Sequence, residues 1–348
     1  MALLELEDVT IEYETEAGPL EAVDAVDLTV DSGETLGIVG ESGCGKTTVA
    51  KSILNILDAN GSITGGEIRF DGRDLTELSE TELRQQIRWQ EISFIPQNAM
   101  ASLDPVYTVG NQVQQVIREH TDQSKAAARE RTEELFQHVG LDSGRTNDYP
   151  HELSGGQRQR VTIALALALE PAVIVADEPT TGLDVVVQDE IMQLLDRIQD
   201  ELDCAVVFVT HDMSVIAEIS DHVVVMYAGR VAEYGTTRDV FKRSAHPYTI
   251  GLQNAFPTMR RHPEPGSLIS IEGSPPNLLD PPSGCRFLDR CPFSTEVCHH
   301  DPGPVEVDEG HRIECHFPEK RETFQERGAD RETWQHVSPD RQENASSD

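Results

Sequence analysis

"TLGIVGESGCGKTTVAKSIL" (Thr35–Leu54) begins as an apolar run and ends as a helical pattern. Between them, Gly40–Thr47 spells G-x-x-x-x-G-K-T, a phosphate loop in its strand–loop–helix setting. Glycines at 40, 43 and 45 let the backbone turn tightly and aim its amides inward at phosphate oxygens. Ser42, Cys44 and Thr48 complete the loop and helix start, with Cys44 reading as a small filler. The helix adds the positive end of its dipole. Lys46 is placed for the terminal phosphates of a nucleotide, and the Thr47 hydroxyl for Mg²⁺. One strand followed by this loop already predicts an α/β fold with a parallel sheet.

Further apolar runs supply the other strands. "AVIVADE" (172–178) reads as a buried parallel strand that delivers Asp177 and Glu178 to the sheet edge where α/β ligands bind. Asp177 is the Mg²⁺ carboxylate and Glu178 the candidate general base for an attacking water. "CAVVFVTHD" (204–212) brings His211 to a strand end, within reach of a γ-phosphate or the water. "ISFIPQNAM" (92–100) does the same for Gln97, whose neutral amide can contact Mg²⁺ and the water. Lys46, Gln97, Glu178 and His211 form the expected catalytic set. "LSGGQ" (153–157) lies far from the phosphate loop in sequence; taken alone, it is a glycine-rich helix start capped by Ser154, with the helix running Gln157–Leu169.

In this order the motifs resemble the nucleotide-binding subunits of ABC transporters, over roughly residues 3–260. The match comprises GESGCGKTT (40–48), Gln97, LSGGQ (153–157), VIVADE (173–178), TTGLD (180–184) with Asp184, and His211. The resemblance implies that Ser154, Gly155, Gly156 and Gln157 face the γ-phosphate of ATP held by a second subunit. It implies that Tyr13 stacks on adenine and that a helical subdomain, about 98–160, docks on membrane subunits. The amphipathic stretch 121–141 falls in that subdomain. One copy of each motif means half of each composite site, so a second ATPase subunit, taken as a sister chain, is expected. Two transmembrane permeases and an extracellular solute-binding protein follow as further partners, with this chain at the cytoplasmic face of the membrane.

"SAHPYTIGLQNAFP" (244–257) and a proline-rich stretch after it resemble the C-terminal extension of the peptide/nickel uptake subfamily. The ATPase domain is therefore placed at 1–260, an extension at 261–318, and a disordered polar tail at 319–348. Cys285, Cys291, Cys298 and Cys315 crowd into the extension without tight C-x₂₋₄-C pairs. Their spacing leaves a [4Fe–4S] cluster, a structural Zn²⁺ with His299, His300 or His316, or no metal; the subfamily resemblance implies the cluster.

The net charge is −34, from 62 acidic and 28 basic residues, and only five of the basic residues are lysine. About −31 of it sits on residues 1–318. A body this acidic suggests a high-salt, halophilic cytoplasm and argues against a nucleic-acid partner, whose phosphates it repels. No apolar run reaches the ~18 residues of a membrane span. The alternative function, a soluble ABC ATPase acting on DNA or ribosomes, calls for basic patches, tandem ATPase domains or coiled-coil insertions; this sequence has none.

Overall fold

The computed structural model describes residues 2–98, 102–255 and 269–335. Five parallel strands form its centre: β3 (Thr35–Gly40), β6 (Ile92–Ile95), β7 (Val173–Asp177), β8 (Ala205–Thr210) and β9 (His222–Tyr227). They belong to an eight-stranded sheet ordered β11-β12-β10-β9-β3-β8-β7-β6. β10 (Arg230–Thr236), β11 (Val305–Asp308) and β12 (His311–Ile313) continue it as antiparallel strands. A separate antiparallel sheet, ordered β2-β1-β4-β5, is built from β1 (Leu4–Thr15), β2 (Gly18–Val30), β4 (Gly61–Phe70) and β5 (Arg73–Asp74).

Both faces of the parallel strands are buried, so their sequences are apolar without alternation. The alternation reappears in what each residue packs against. Val173 and Val175 on β7, and Ala205, Val207 and Val209 on β8, join a core shared with the antiparallel sheet and the helix Lys46–Ile53. Ile174, Ala176, Val206 and Phe208 face a second core beneath the remaining helices.

Three helices, Val109–His120, Lys125–His138 and Gly155–Ala166, lie between β6 and β7 in sequence. Each starts on a hydroxyl cap: Thr108, Ser124 and Ser154. Lys125–His138 lies inside the helical stretch expected at 121–141 and buries Ala128, Thr132, Leu135 and Phe136. The helix after LSGGQ begins at Gly155 and ends at Ala166, earlier at both ends than the expected Gln157–Leu169.

The C-terminal region departs from the sequence reading in three ways. The extension is not a module apart from the ATPase core. Its β11–β12 hairpin pairs with β10, Glu233 opposite Ile313, and Phe287 joins the main core. Fully buried Glu233 ties the segments together by accepting from the amides of Ala245 and His246 and pairing with Nε2 of buried His311 at 2.8 Å.

The tail expected to be disordered from 319 instead forms the helices Arg321–Gly328 and Arg331–Trp334; residues 336–348 lie outside the described residues. Its composition conceals two anchors. Phe324 stacks on Phe293 with ring centres 4.5 Å apart. Trp334 is buried, and its indole N–H donates to the Gly328 carbonyl at 2.9 Å.

The third departure concerns the cysteines. Cys285, Cys291, Cys298 and Cys315 do line one cavity, with Phe287, Phe293 and other apolar groups. Yet among the described residues no group of three or more His, Cys, Asp or Glu is placed to hold a metal ion, so neither the iron–sulfur nor the zinc expectation stands. Burial pushes the Cys285 thiol up to about 11, Cys315 up to about 12, and Cys291 well above its ordinary value. Cys291 and Cys315 pack with Phe293 and Phe324 in a small apolar cluster, as free cysteines commonly do.

Trp334→Ala should destabilise the folded chain by roughly 3–5 kcal/mol, the usual cost of truncating a buried aromatic. Chemical denaturation checks this; an unchanged midpoint would mean that the C-terminal helices do not dock.

Candidate active site

The site follows from strand parity. Asp177 continues the Val173–Val175 face of β7, the face covered by the helix Lys46–Ile53, so it meets that helix's second residue. The Thr47 hydroxyl donates to Asp177 Oδ1 at 3.1 Å. Burial pushes the Asp177 carboxyl up, opposed by this hydrogen bond.

In the loop, Lys46 is buried and its Nζ donates to the carbonyls of Gly40 (2.8 Å) and Glu41 (2.9 Å). Gly45 has φ +103°, and a Cβ at Gly40 would collide with the Met226 carbonyl, so the loop requires glycine at both positions. Ser42 and Gly43 are exposed, Thr48 is half-buried, and Cys44 is buried in the core beneath the loop, where burial raises its thiol.

Glu178 is where three strand ends converge. Its Oε2 accepts from Gln97 Nε2 and from the Thr181 hydroxyl, both at 2.8 Å, and its Oε1 lies 3.1 Å from His211 Nδ1. Burial alone would push this carboxyl up; the hydrogen bonds from Thr181, His211 and Gln97 outweigh it and hold the group below its ordinary value. Glu178 also carries a left-handed backbone, φ +45°, pinned by its amide on the Val209 carbonyl at 2.8 Å. A non-glycine residue held there stores strain, which clusters at functional positions. Thr181 was not singled out from sequence, although its place three residues after Glu178 in the TTGLD turn was the available signal.

Each carboxylate oxygen has about two acceptor sites. Oε2 is filled, whereas Oε1 carries only the histidine and can take a proton from a water. The Thr47 hydroxyl, the Asp177 carboxylate and the Gln97 amide oxygen are hard donors of the kind Mg²⁺ takes. A glycine-shaped loop with a buried lysine, beside these hard donors and an ionised carboxylate, can serve phosphoanhydride hydrolysis.

LSGGQ stands apart from this group. Ser154 and Gln157 cap each other reciprocally, at 3.0 and 3.3 Å. Gly156 packs against Val187 of the helix Val185–Leu202, which Asp184 caps through the Val187 amide at 3.1 Å. The Tyr13 ring lies over Gly61 at the β1–β4 pairing, half-buried.

This fold and site define an ABC-type ATPase. Residues 23–181 match the ABC transporter family, and residues 232–298 match the oligopeptide/dipeptide transporter C-terminal region. The chain is 45% identical over 319 residues to the oligopeptide transport ATP-binding protein OppD of Escherichia coli (strain K12), covering 91% of this chain and 94% of that one. It is 41% identical over 323 residues to the dipeptide transport ATP-binding protein DppD of Bacillus subtilis (strain 168), covering 92% and 96%. The dimeric, post-hydrolysis structure of the ATP-binding cassette MJ0796 bound to ADP and Pi superposes with a TM-score of 0.61 at 33% identity, over 68% of this chain and 99% of that one.

The chain belongs to the ATP-binding subunits of the oligopeptide/dipeptide ABC transporter family, in which ATP hydrolysis is coupled to transport. The halophilic expectation finds no support in these relatives. Some acidic residues serve in ion pairs of the fold: Asp24 and Glu21 pair with buried Arg286, and Asp24 also with Arg230.

Glu178→Gln should retain nucleotide binding while phosphate release falls by ~10²-fold or more, the usual loss on removing a general base. Parental turnover would place the base elsewhere. Thr181→Ala removes one donor from the carboxylate, so the Glu178 pKa rises. Activity that needs the ionised form should then be lost at a higher pH as the solution is acidified. An acid limb of the pH–rate profile that stays put would show that Glu178 is not the titrating group.

Proposed function

We propose that this chain powers a peptide importer as one half of a dimer that buries two ATP molecules between its subunits. The observation that carries this is what LSGGQ touches: Ser154 and Gln157 bond each other, and Gly155 and Gly156 pack against Leu183 and Val187, with no hydrogen bond from them to the phosphate loop among the described residues. The capping box satisfies the amides of Ser154 and Gln157. The Gly155 and Gly156 amides, in the first turn, have no intrahelical acceptor, and the positive end of the dipole lies behind them. Such an end fits an anion brought by another subunit. Asp184 caps the next helix through the amide of Val187, the residue that Gly156 packs against. The partner is taken as a sister ATPase.

Within one half-site, the loop from Gly40 to Thr48 cradles the phosphates, with Ser42, Gly43, Cys44 and Gly45 giving it shape and Lys46 supplying charge. Thr47, Asp177 and Gln97 would hold Mg²⁺, which neutralises charge developing on the phosphate oxygens. Glu178 takes the proton of the attacking water at its open Oε1 site. His211 and Thr181 keep that carboxylate ionised and oriented, and Gln97 reports whether the site is filled. Tyr13 stacks on the base.

Two permease subunits receive the motion. An apolar groove lined by Leu54, Ile56, Trp89, Phe94, Pro96 and Leu165 runs between the sheet and the signature helix, and supports docking there. The peptide itself would be delivered from outside by a solute-binding protein. Its identity is set by those subunits, and this chain works on the cytoplasmic face.

Ser154→Arg should abolish ATP turnover in the assembled transporter but leave ATP binding to the isolated chain unchanged, because the altered group faces the partner's nucleotide. Equal loss of affinity in the isolated chain would assign LSGGQ to its own ATP and defeat the dimer reading. Phe94→Asp should release the chain from solubilised permeases in a pull-down while sparing ATP binding; retention would move the docking surface elsewhere.

A further inference from the structure

The phosphate loop is held from outside the ATPase motifs. Glu41, its second residue, is gripped at three points. Its amide donates to the Tyr248 hydroxyl at 3.0 Å. Its carbonyl accepts from Lys46. Its carboxylate receives both terminal nitrogens of Arg290, at 2.8 and 3.0 Å. Tyr248 is fully buried in the helix Pro247–Ala255, and Arg290, 6% exposed, lies between Cys285 and Cys298.

All five N–H donors of the Arg290 guanidinium are used. Besides Glu41, they reach the Tyr227 hydroxyl at 3.2 Å, the Glu272 carbonyl at 3.0 Å and the Ile271 carbonyl at 3.3 Å. The position of the charge is thus over-determined. A buried arginine is retained only where it is paired and hydrogen-bonded, and here its one carboxylate partner is a residue of the nucleotide loop.

The electrostatics make this more than packing. A carboxylate in a loop built to receive a triphosphate repels its ligand, and the repulsion is strong at short range where water is partly excluded. A bidentate guanidinium both neutralises that carboxylate and fixes its direction. We infer that Arg290 and Tyr248 are positioning residues of the phosphate site: they hold Glu41 so that the loop offers amides, not a carboxylate, to ATP. The C-terminal region is therefore a working part of the nucleotide site, and its packing sets the loop's affinity. This rests on the reading that the loop holds ATP.

The test measures binding of a fluorescent ATP analogue, displaced by ATP or by AMP, to the full chain. Arg290→Gln should weaken ATP by about tenfold or more, as expected when a buried charge pair loses one partner, and should weaken AMP less. Adding Glu41→Gln to Arg290→Gln should restore ATP affinity to within about threefold of the parent, since the two residues act as one coupled pair. Tyr248→Phe keeps the ring and should weaken ATP by about fivefold, because a buried amide loses its acceptor.

Parental affinity in Arg290→Gln, or a double variant as weak as the single one, overturns the inference: Arg290 would then serve only to pack the extension. If Arg290→Gln melts below the assay temperature, Tyr248→Phe decides, with parental affinity again counting against the inference. Lys46→Ala separates the two readings. If the parent binds ATP no better than Lys46→Ala, both fail; if the parent binds and the Arg290 and Tyr248 variants match it, only this inference fails.

Discussion

A parallel strand buried on both faces has only its ends to offer a ligand. β3, β6, β7 and β8 lie in one sheet with their carboxyl ends toward the same edge. The residues just past those ends are the phosphate loop, Gln97, the Asp177–Glu178 pair and His211. Their convergence needs no separate device. Once the sheet closes, these ends fall into two hydrogen-bonded groups, the Thr47 hydroxyl with Asp177 and the Gln97 amide and His211 imidazole with Glu178. The chemistry is thus an outcome of core packing. A change that shifts β7 by one residue would turn Asp177 away from Thr47 and dismantle the cation site before touching any ligand.

Within that frame the charges hold one another in check. Asp177 is pushed up by burial and Glu178 is held down by three donors, so adjacent carboxylates occupy different regimes. Such divergence is the mark of groups with different tasks. The left-handed backbone at Glu178 lets the chain leave β7 abruptly, which sends its side chain toward Gln97 and His211 and not along the strand face.

What the sequence made legible was local. The phosphate loop, the four strand ends and the Ser154 cap are each read from fewer than about ten consecutive residues, and each has a chemical reason for its spacing. Long-range partners were not legible. Nothing in "HPYT" or in "FLDRC" says that a tyrosine and an arginine 207 and 249 residues from Glu41 will grip it. The C-terminal tail was misread because average polarity hides two aromatic anchors, Phe324 and Trp334, each of which fills a prepared gap. For Trp334 that gap lies over Gly251, where any side chain would collide with the indole. The cysteines were misread for a related reason: their crowding in sequence and the subfamily resemblance suggested a cluster, whereas in the fold they line an apolar cavity beside Phe287 and Phe293.

The β11–β12 hairpin has a further consequence, for the edge of the sheet. β10 is seven residues long, and its outer side would otherwise present unpaired amides and carbonyls beside a largely buried strand. An open edge of that length is a template for pairing with another chain. The hairpin pairs with its middle, at Ala232, Glu233 and Tyr234, and ends the sheet in β11, four residues long and flanked by Pro304 and the Gly310 turn. A fragment trimmed to the conventional ATPase motifs would therefore be more than an enzyme without its appendage. It would lose the pairing at the middle of β10 and leave those amides and carbonyls open to another chain.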